Sequence, residues 1–443
     1  MGWVKQANLK KSFVISVFII KILFGSGIVF IYTYYYTDRG SADIYKFFDD
    51  AQIIASAFPD DYPSFFKLMS GIHNSDPELV KYTSQMKNWE PQSSEWLEFT
   101  QTENYNIFQS NRIITRINAF LLLFSLGNIF THVIFFSWLS LITSIAFLSI
   151  FRNLPSSTYL VITVLVLLLP SVLLWCSAPL KDTLTLAGIN ILFVSFYHIF
   201  ISNQKKLFQN LVMVFLSAVV ILFTKYYVLI AIIPALIYLN LTQIQNLRIR
   251  RISYFAIPVA FAALLLITPH INERFDVFQV LNNKREEALK AAIFGEANHL
   301  LFQDVVDGGQ MGLILKAPNA IFTSLYRPLI IEKTDSIIVK LASIENLFLL
   351  ILLLPFIYCL LKKQPHPSIK ISLIIYVISL AFIIGFTTPV AGGVMRYKTA
   401  LIPAYLIICL ISLDMTKLFL SNKYLYKFQQ RILNEPIHNA AKS

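Results

Sequence analysis

The stretch Ser12–Tyr36, SFVISVFIIKILFGSGIVFIYTYYY, decides the fold class of this chain. A helix needs about 20 apolar residues to cross a bilayer, and the only charged residue in this stretch is Lys21. The stretch is longer than the apolar region of a secretory signal and has no A-x-A cleavage site, so we expect it to remain as the first membrane span. The Lys21 side chain is expected to snorkel toward the cytoplasmic face.

The rest of the chain repeats this apolar pattern. Of its 443 residues, 56% are apolar and 14% are charged, whereas soluble domains carry about 25% charged residues. This composition excludes a soluble globular enzyme. The sequence has no GxxxxGK phosphate loop, which excludes an ATP-driven machine within the chain. Its three cysteines are too far apart in sequence for a disulfide framework or a CxxC metal site.

Ten membrane spans are predicted, in one all-α polytopic membrane domain that covers residues 1–443. The predicted spans are residues 12–36, 128–150, 157–175, 183–201, 207–224, 226–241, 252–269, 345–361, 370–388 and 397–413. An even number of spans places both termini on the same side, and the lysines before the first span place that side in the cytoplasm.

The distribution of charge supports this topology. The short connections predicted to be cytoplasmic, and the basic tail 414–443, are rich in Lys and Arg, as the positive-inside rule expects. The net charge of +12 therefore requires no nucleic-acid partner. Most acidic residues fall in two long extracytoplasmic segments, 37–113 and 270–344. Apolar residues at helical spacing predict a short amphipathic helix at residues 44–58, and further short helices are predicted at 105–127 and 284–294.

Three predicted outer turns, distant in sequence, each carry at least one cation at the membrane boundary. The charged residues are Lys181 with Asp182 in WCSAPLKDT (175–183), Lys225 in TKYY (224–227), and Arg396 with Lys398 in TTPVAGGVMRYK (387–398). Arg327 adds a cation in the second outer segment. Ionisable groups at this depth are costly, and convergent cations suit a phosphate or diphosphate at the interface. Structural alternatives stay open, with Asp182 as a helix cap and Lys225 as a turn residue.

The predicted anionic partner lies in DRGSAD, residues 38–43, directly after the first span. A carboxylate held close to the membrane surface can deprotonate a hydroxyl near a lipid headgroup, so Asp43 is the predicted general base, with Asp38 as the neighbouring candidate. The alternative is that Asp43 only caps the helix that follows. His299 and Glu332 belong to no recognisable constellation, and we predict neither a metal site nor a cofactor.

This layout resembles the GT-C superfamily of glycosyltransferases, which use polyprenyl-phosphate-linked sugars. The resemblance rests on a cytoplasmic N-terminus, a long outer loop that opens with aspartates, many further spans and basic residues at outer helix ends. Residues 170–182 and 393–398 also look like stretches of bacterial polysaccharide-locus membrane proteins. The resemblance implies that the catalytic carboxylate is Asp43 or Asp38 and that the lipid phosphate is bound by Lys181, Lys225, Arg396 and Lys398. Asp182 and Arg327 complete the predicted substrate-binding set.

The resemblance implies a membrane-embedded glycosyltransferase that acts on the extracytoplasmic face. A sugar on a lipid phosphate already has a good leaving group, so the enzyme needs a base on the attacking hydroxyl and cations on the departing phosphate. No nucleotide site is required. We expect it in the bacterial inner membrane, in cell-envelope polysaccharide synthesis. Its expected partners are a polyprenyl-phosphate-linked sugar, membrane lipid, and a glycan, lipid or protein acceptor, without nucleic acid.

Two alternatives stay open. A polysaccharide polymerase or ligase would use a polyprenyl-diphosphate-linked glycan, and in such an enzyme Arg327 and His299 would matter more than Asp43. A lipid-linked saccharide transporter would also need a cationic cavity, although transporter halves are usually related by repeats, and the sequence shows no clear internal repeat.

The predicted topology can be tested by cysteine labelling. On a cysteine-free background, single cysteines at Ser94 and Gln303 are expected to react with an impermeant reagent added from outside, while one at Asn422 is expected to be protected. Protection at either of the first two positions would contradict the topology.

Overall fold

Helices dominate the part of the chain that the computed structural model describes. This part comprises residues 6–34, 42–71, 76–89, 110–201, 206–240, 277–294, 309–361 and 367–434, with the single residues 39, 252, 256, 263, 267 and 302. Within it, Leu9 and Leu433 form an isolated antiparallel bridge.

The helices are numbered in chain order. They are α1 (Lys11–Tyr34), α2 (Asp43–Ser56), α3 (Tyr62–Ser70), α4 (Val80–Thr83), α5 (Ser110–Ser125), α6 (Ile129–Ser149), α7 (Ser156–Leu168), α8 (Pro170–Trp175), α9 (Lys181–Phe200), α10 (Leu207–Asn240), α11 (Val277–Phe294), α12 (Gly309–Tyr326), α13 (Ile337–Ile351), α14 (Leu353–Leu361), α15 (Pro367–Thr387), α16 (Ala391–Tyr397), α17 (Ile402–Leu410), α18 (Thr416–Ser421) and α19 (Lys423–Ile432).

Six helices of the described residues are long and apolar enough to cross a membrane. They are α1, α6, α9, α10, the stretch Ile337–Tyr358 and Ile369–Thr387 in α15. A seventh is obtained if Ala391–Ala400 and Ile402–Leu410, which meet at a bend of 63°, count as one span. The all-α prediction is therefore confirmed for the described residues, which include six or seven helices able to span a membrane, whereas the number of ten spans stays a prediction.

Three predicted spans have a different shape in the structure. The span predicted at 397–413 is bent. The span predicted at 157–175 is broken into α7 and α8 at Leu169, whose ψ of 130° is extended, because a residue before proline disfavours the helical conformation. The span predicted at 345–361 begins earlier, at Ile337.

The chain reverses direction at Lys225. Helix α10 is helical before and after Lys225, but Lys225 itself has φ −149° and ψ 80°, which is not helical. Before this residue, Thr224 accepts a hydrogen bond from Thr185 near the start of α9. After it, Leu239 lines a small cavity together with Tyr197 near the end of α9. The two halves of α10 therefore run in opposite directions, which agrees with the separate spans predicted on either side of Lys225.

A second, smaller core forms from the segment that follows α1. The predicted amphipathic helix is confirmed as α2, which buries Ile44, Phe47, Phe48, Ala51 and Ile54. Helices α2, α3 and α5 and the segment around Trp89 bury apolar side chains against one another. The predicted helix 105–127 corresponds to α5, and the predicted helix 284–294 begins earlier, as α11.

The first helix lies very close to the turn that precedes α9. A Cβ atom on Gly25 would lie 2.3 Å from the carbonyl oxygen of Ser177. Four residues earlier, the Lys21 ammonium donates to Ser140 Oγ at 3.0 Å and to Ser177 Oγ at 3.3 Å, and Lys21 is only 1% exposed. The snorkelling prediction for Lys21 is therefore wrong, because two serines inside the bundle supply its hydrogen-bond acceptors.

We predict that Gly25→Ala lowers stability and that Gly27→Ala, on the same helix, does not. The Gly25 variant must move the Ser177 backbone, which we expect to cost about 1–3 kcal/mol, the usual range for overpacking. Gly27 has no atom within 4 Å of the position that a Cβ would occupy, so its replacement should be neutral or stabilising by up to about 1 kcal/mol. Thermal unfolding of both variants in detergent tests this, and equal melting temperatures would contradict it.

Candidate functional site

Four charged side chains from four separated segments form one connected cluster. They are Lys225 at the kink of α10, Asp182 in the first turn of α9, Arg396 in α16 and Asp43 at the start of α2. We call these four residues the ion-pair cluster. All four segments start or bend here. For α9 and α16 a proline lies two residues before the helix, Pro179 and Pro389, and proline cannot continue a helix that precedes it.

Asp182 is the centre of the ion-pair cluster. Its Oδ1 accepts a hydrogen bond from the Lys225 ammonium, and its Oδ2 accepts one from Arg396 Nε at 2.5 Å. The Asp182 side chain is 1% exposed. The interpretation of Asp182 as a helix cap is wrong, since both carboxylate oxygens bind cations and Leu180 is the N-cap residue of α9.

Asp43 forms the outer end of the ion-pair cluster. Its Oδ2 accepts a hydrogen bond from Arg396 Nη1. The Asp43 side chain is 33% exposed, compared with 13% for Arg396 and 8% for Lys225, so this carboxylate is the member most open to a ligand. The capping interpretation is wrong here as well, because Ala42 is the N-cap residue of α2 and Asp43 is the first helical residue.

The electrostatic surroundings favour the charged form of Asp43. Burial alone would raise the pKa of this carboxyl, but the charge and hydrogen bond of Arg396 and the charge of Lys181 outweigh burial and hold the pKa below its ordinary value. Asp43 is therefore ionised at neutral pH while Arg396 binds it. A ligand that took Arg396 away would raise the pKa and make the carboxylate a stronger base.

Lys181 lies beside the ion-pair cluster and brings a third cation to it. Its ammonium donates to Asn111 Oδ1 at 2.7 Å and lies 5.3 Å from the centre of the Phe47 ring. With Lys181 included, three positive and two negative side chains meet here, which leaves one net positive charge. The excess of positive charge suits an anionic ligand.

Aromatic rings surround these charges. Lys225 lies 4.1 Å from the Tyr397 ring centre, Arg396 lies 5.8 Å from that of Trp175, and Lys284 of α11 lies 4.0 Å from that of Tyr227. Sequence reasoning did not assign roles to Tyr227, Tyr397 or Lys284. The two tyrosines lie within two residues of predicted cations in sequence, which could have identified them, whereas no pattern marked Lys284.

Two predicted binding residues lie in a different set of contacts. Lys398 is 1% exposed, and its ammonium donates to Asn346 Oδ1 and to the carbonyl oxygen of Arg327 at 3.4 Å. The Arg327 guanidinium donates to Glu332 at 2.5 Å and lies 4.0 Å from the Phe302 ring centre. The expectation that all the predicted cations share one site therefore fails for these two. Asp38 and His299 lie outside the described residues.

The ion-pair cluster offers cations and carboxylates rather than a metal site. Among the residues that the structure describes, no three His, Cys, Asp or Glu side chains are grouped so that they could hold a metal ion. Comparison of the chain with protein families, with curated proteins and with solved structures finds no match. The geometry of the site itself therefore has to indicate its chemistry.

We predict that Asp182→Asn destabilises the protein by about 3 kcal/mol, because removing one partner of a buried ion pair leaves charge uncompensated. Here both Lys225 and Arg396 lose their shared carboxylate. Asp335→Asn is the matched control, since Asp335 is exposed. Thermal unfolding in detergent measures both changes, and equal stability of the two variants would contradict the central role of Asp182.

Proposed function

We propose that the chain is a glycosyltransferase that moves a sugar from a polyprenyl-phosphate-linked donor to an acceptor hydroxyl. We place this activity on the extracytoplasmic face of a bacterial inner membrane, with ten spans and both termini in the cytoplasm. The acceptor is a glycan, lipid or protein of the cell envelope. The proposal extends the resemblance to the GT-C superfamily.

One observation carries the proposal: Arg396 binds Asp182 through Nε and Asp43 through Nη1. Asp182 fixes the guanidinium in place, while the partly exposed Asp43 can be exchanged for another anion. A phosphate suits this position because guanidinium groups bind phosphate oxygens with strong, directional hydrogen bonds. Lys181 lies close enough to share the phosphate charge.

This exchange would couple donor binding to catalysis. When the donor phosphate takes the place of the Asp43 carboxylate on Arg396, Asp43 is released beside the bound sugar. It then accepts the proton of the acceptor hydroxyl while the hydroxyl oxygen bonds to the anomeric carbon. The bond from that carbon to the phosphate oxygen breaks, and the electron pair leaves on the phosphate, where the cations stabilise it.

The placement of Arg327 favours this proposal over a polysaccharide polymerase or ligase. In that alternative Arg327 would bind the lipid diphosphate, but its partner Glu332 is only 14% exposed and is less open to exchange than Asp43, which is 33% exposed.

We expect Asp43→Asn to separate binding from turnover. Reconstituted protein would be supplied with polyprenyl-phosphate-linked glucose, mannose, galactose or arabinose and a panel of glycan acceptors, and release of free polyprenyl phosphate would be measured. The variant should bind radiolabelled polyprenyl phosphate at least as well as the unmodified protein, because an anionic competitor for Arg396 is gone. Its turnover should fall by roughly 10² to 10⁴ through loss of the base.

Two further variants complete this test. Asp49→Asn is the control on the same helix, since Asp49 pairs with the exposed Arg39 outside the ion-pair cluster, and it should turn over normally. Arg396→Gln should weaken polyprenyl phosphate binding by roughly tenfold or more, as expected for loss of a hydrogen bond to a charged group. Unchanged turnover in Asp43→Asn together with unchanged binding in Arg396→Gln would refute the proposal.

A further inference from the structure

Helix α19 carries a stripe of basic residues. Lys423, Lys427 and Arg431 follow one another at intervals of four residues, so they lie along one side of the helix. All three are exposed. Between Met415 and Asn434 the sequence contains no acidic residue, so this stripe has no counter-charge on its own or the preceding helix.

Aromatic side chains line the neighbouring side of α19. Tyr424 is 84% exposed and Phe428 is 45% exposed, and each follows a basic residue directly in sequence. On the side opposite the basic stripe, Gln429 and Ile432 are buried against the rest of the protein. Around the helix axis the order is therefore protein contact, exposed aromatic rings, basic stripe. Helices that lie in the membrane interface have this arrangement, with aromatic residues toward the acyl chains and basic residues toward the headgroups.

Hydrogen bonds hold α19 beside the start of α1. The Lys10 N–H donates to the Ile432 carbonyl at 2.8 Å, and the Asn434 side chain donates to the Leu9 carbonyl at 2.9 Å. Lys10 directly precedes α1, which is long enough to span the membrane. At the other end of α1, Thr33 hydrogen-bonds to Tyr45 of α2. Thus α19 lies at the end of the bundle opposite α2 and the ion-pair cluster.

We propose that α19 is a binding site for anionic phospholipid headgroups in the adjacent leaflet. The three basic side chains would contact lipid phosphates, and Tyr424 and Phe428 would insert between the acyl chains next to them. Each Lys or Arg near an anionic surface adds to the attraction, and salt screens it. This site is independent of the proposed transferase reaction, because it is at the opposite end of the protein.

The test uses the full-length chain with Phe428→Trp, reconstituted in nanodiscs. Brominated phosphatidylglycerol or brominated phosphatidylcholine, at the same mole fraction, quenches tryptophan that it contacts. The contribution of the five native tryptophans is subtracted by using the protein without the Phe428→Trp change. We expect brominated phosphatidylglycerol to quench Trp at position 428 more strongly than brominated phosphatidylcholine, and we expect this preference to disappear at about 0.5 M salt, where screening is strong.

Two charge variants in the Phe428→Trp background make the test specific. Lys423→Gln with Lys427→Gln and Arg431→Gln should lose the preference for phosphatidylglycerol. Lys290→Gln with Lys333→Gln and Lys340→Gln removes the same charge from exposed positions elsewhere and should keep it. The proposal is wrong if the first triple variant keeps the preference, or if Phe428→Trp alone shows none. Should the first triple variant fail to fold, the salt dependence of Phe428→Trp alone still decides, because a preference that survives high salt would overturn the proposal.

Discussion

The arrangement of the helices around the ion-pair cluster depends on one interaction, the pairing of the buried Asp182 carboxylate with two cations. A charge in an apolar bundle is tolerated only when it is paired and hydrogen-bonded. Asp182 meets this requirement through two cations from different segments, Lys225 and Arg396. One carboxylate thereby fixes the start of α9, the kink of α10 and the short helix α16 relative to one another, and Arg396 extends the connection to α2.

Helix breaks bring these charges together. The backbone leaves regular helix at Leu169 and at Lys225, and α16 meets α17 at a bend of 63°. Non-helical backbone at membrane depth is tolerated where it is buried in protein or lines a cavity. One such stretch is the turn before α9, where the Ser177 carbonyl lies directly against Gly25 of α1. The hydrogen bond from Lys21 to Ser177 holds the same turn. The residues nearest the ion-pair cluster are therefore held by the first helix as well as by their own segments.

The ion-pair cluster and α19 differ in how their charges are balanced. In the ion-pair cluster, Lys225 and Arg396 each contact a carboxylate, so the proposed phosphate has to replace one of these carboxylates, and Asp43 is the more exposed of the two. On α19, the basic residues face outward beside exposed aromatic rings, so lipid headgroups could reach them without displacing a partner. The first arrangement suits a selective site for one ligand, and the second suits a surface that contacts many lipids.

The sequence by itself determined the membrane class, the amphipathic character of α2 and the presence of cations at the predicted outer turns, since these features follow from hydropathy and periodicity within short windows. Only the tertiary structure decided which charged residues meet. It grouped Lys181, Lys225 and Arg396, placed Lys398 and Arg327 in other contacts, and made Asp182 a bridge rather than a helix cap. Local sequence could not show this, because Asp182 and Arg396 are 214 residues apart and their contact depends on how the helices bend and pack.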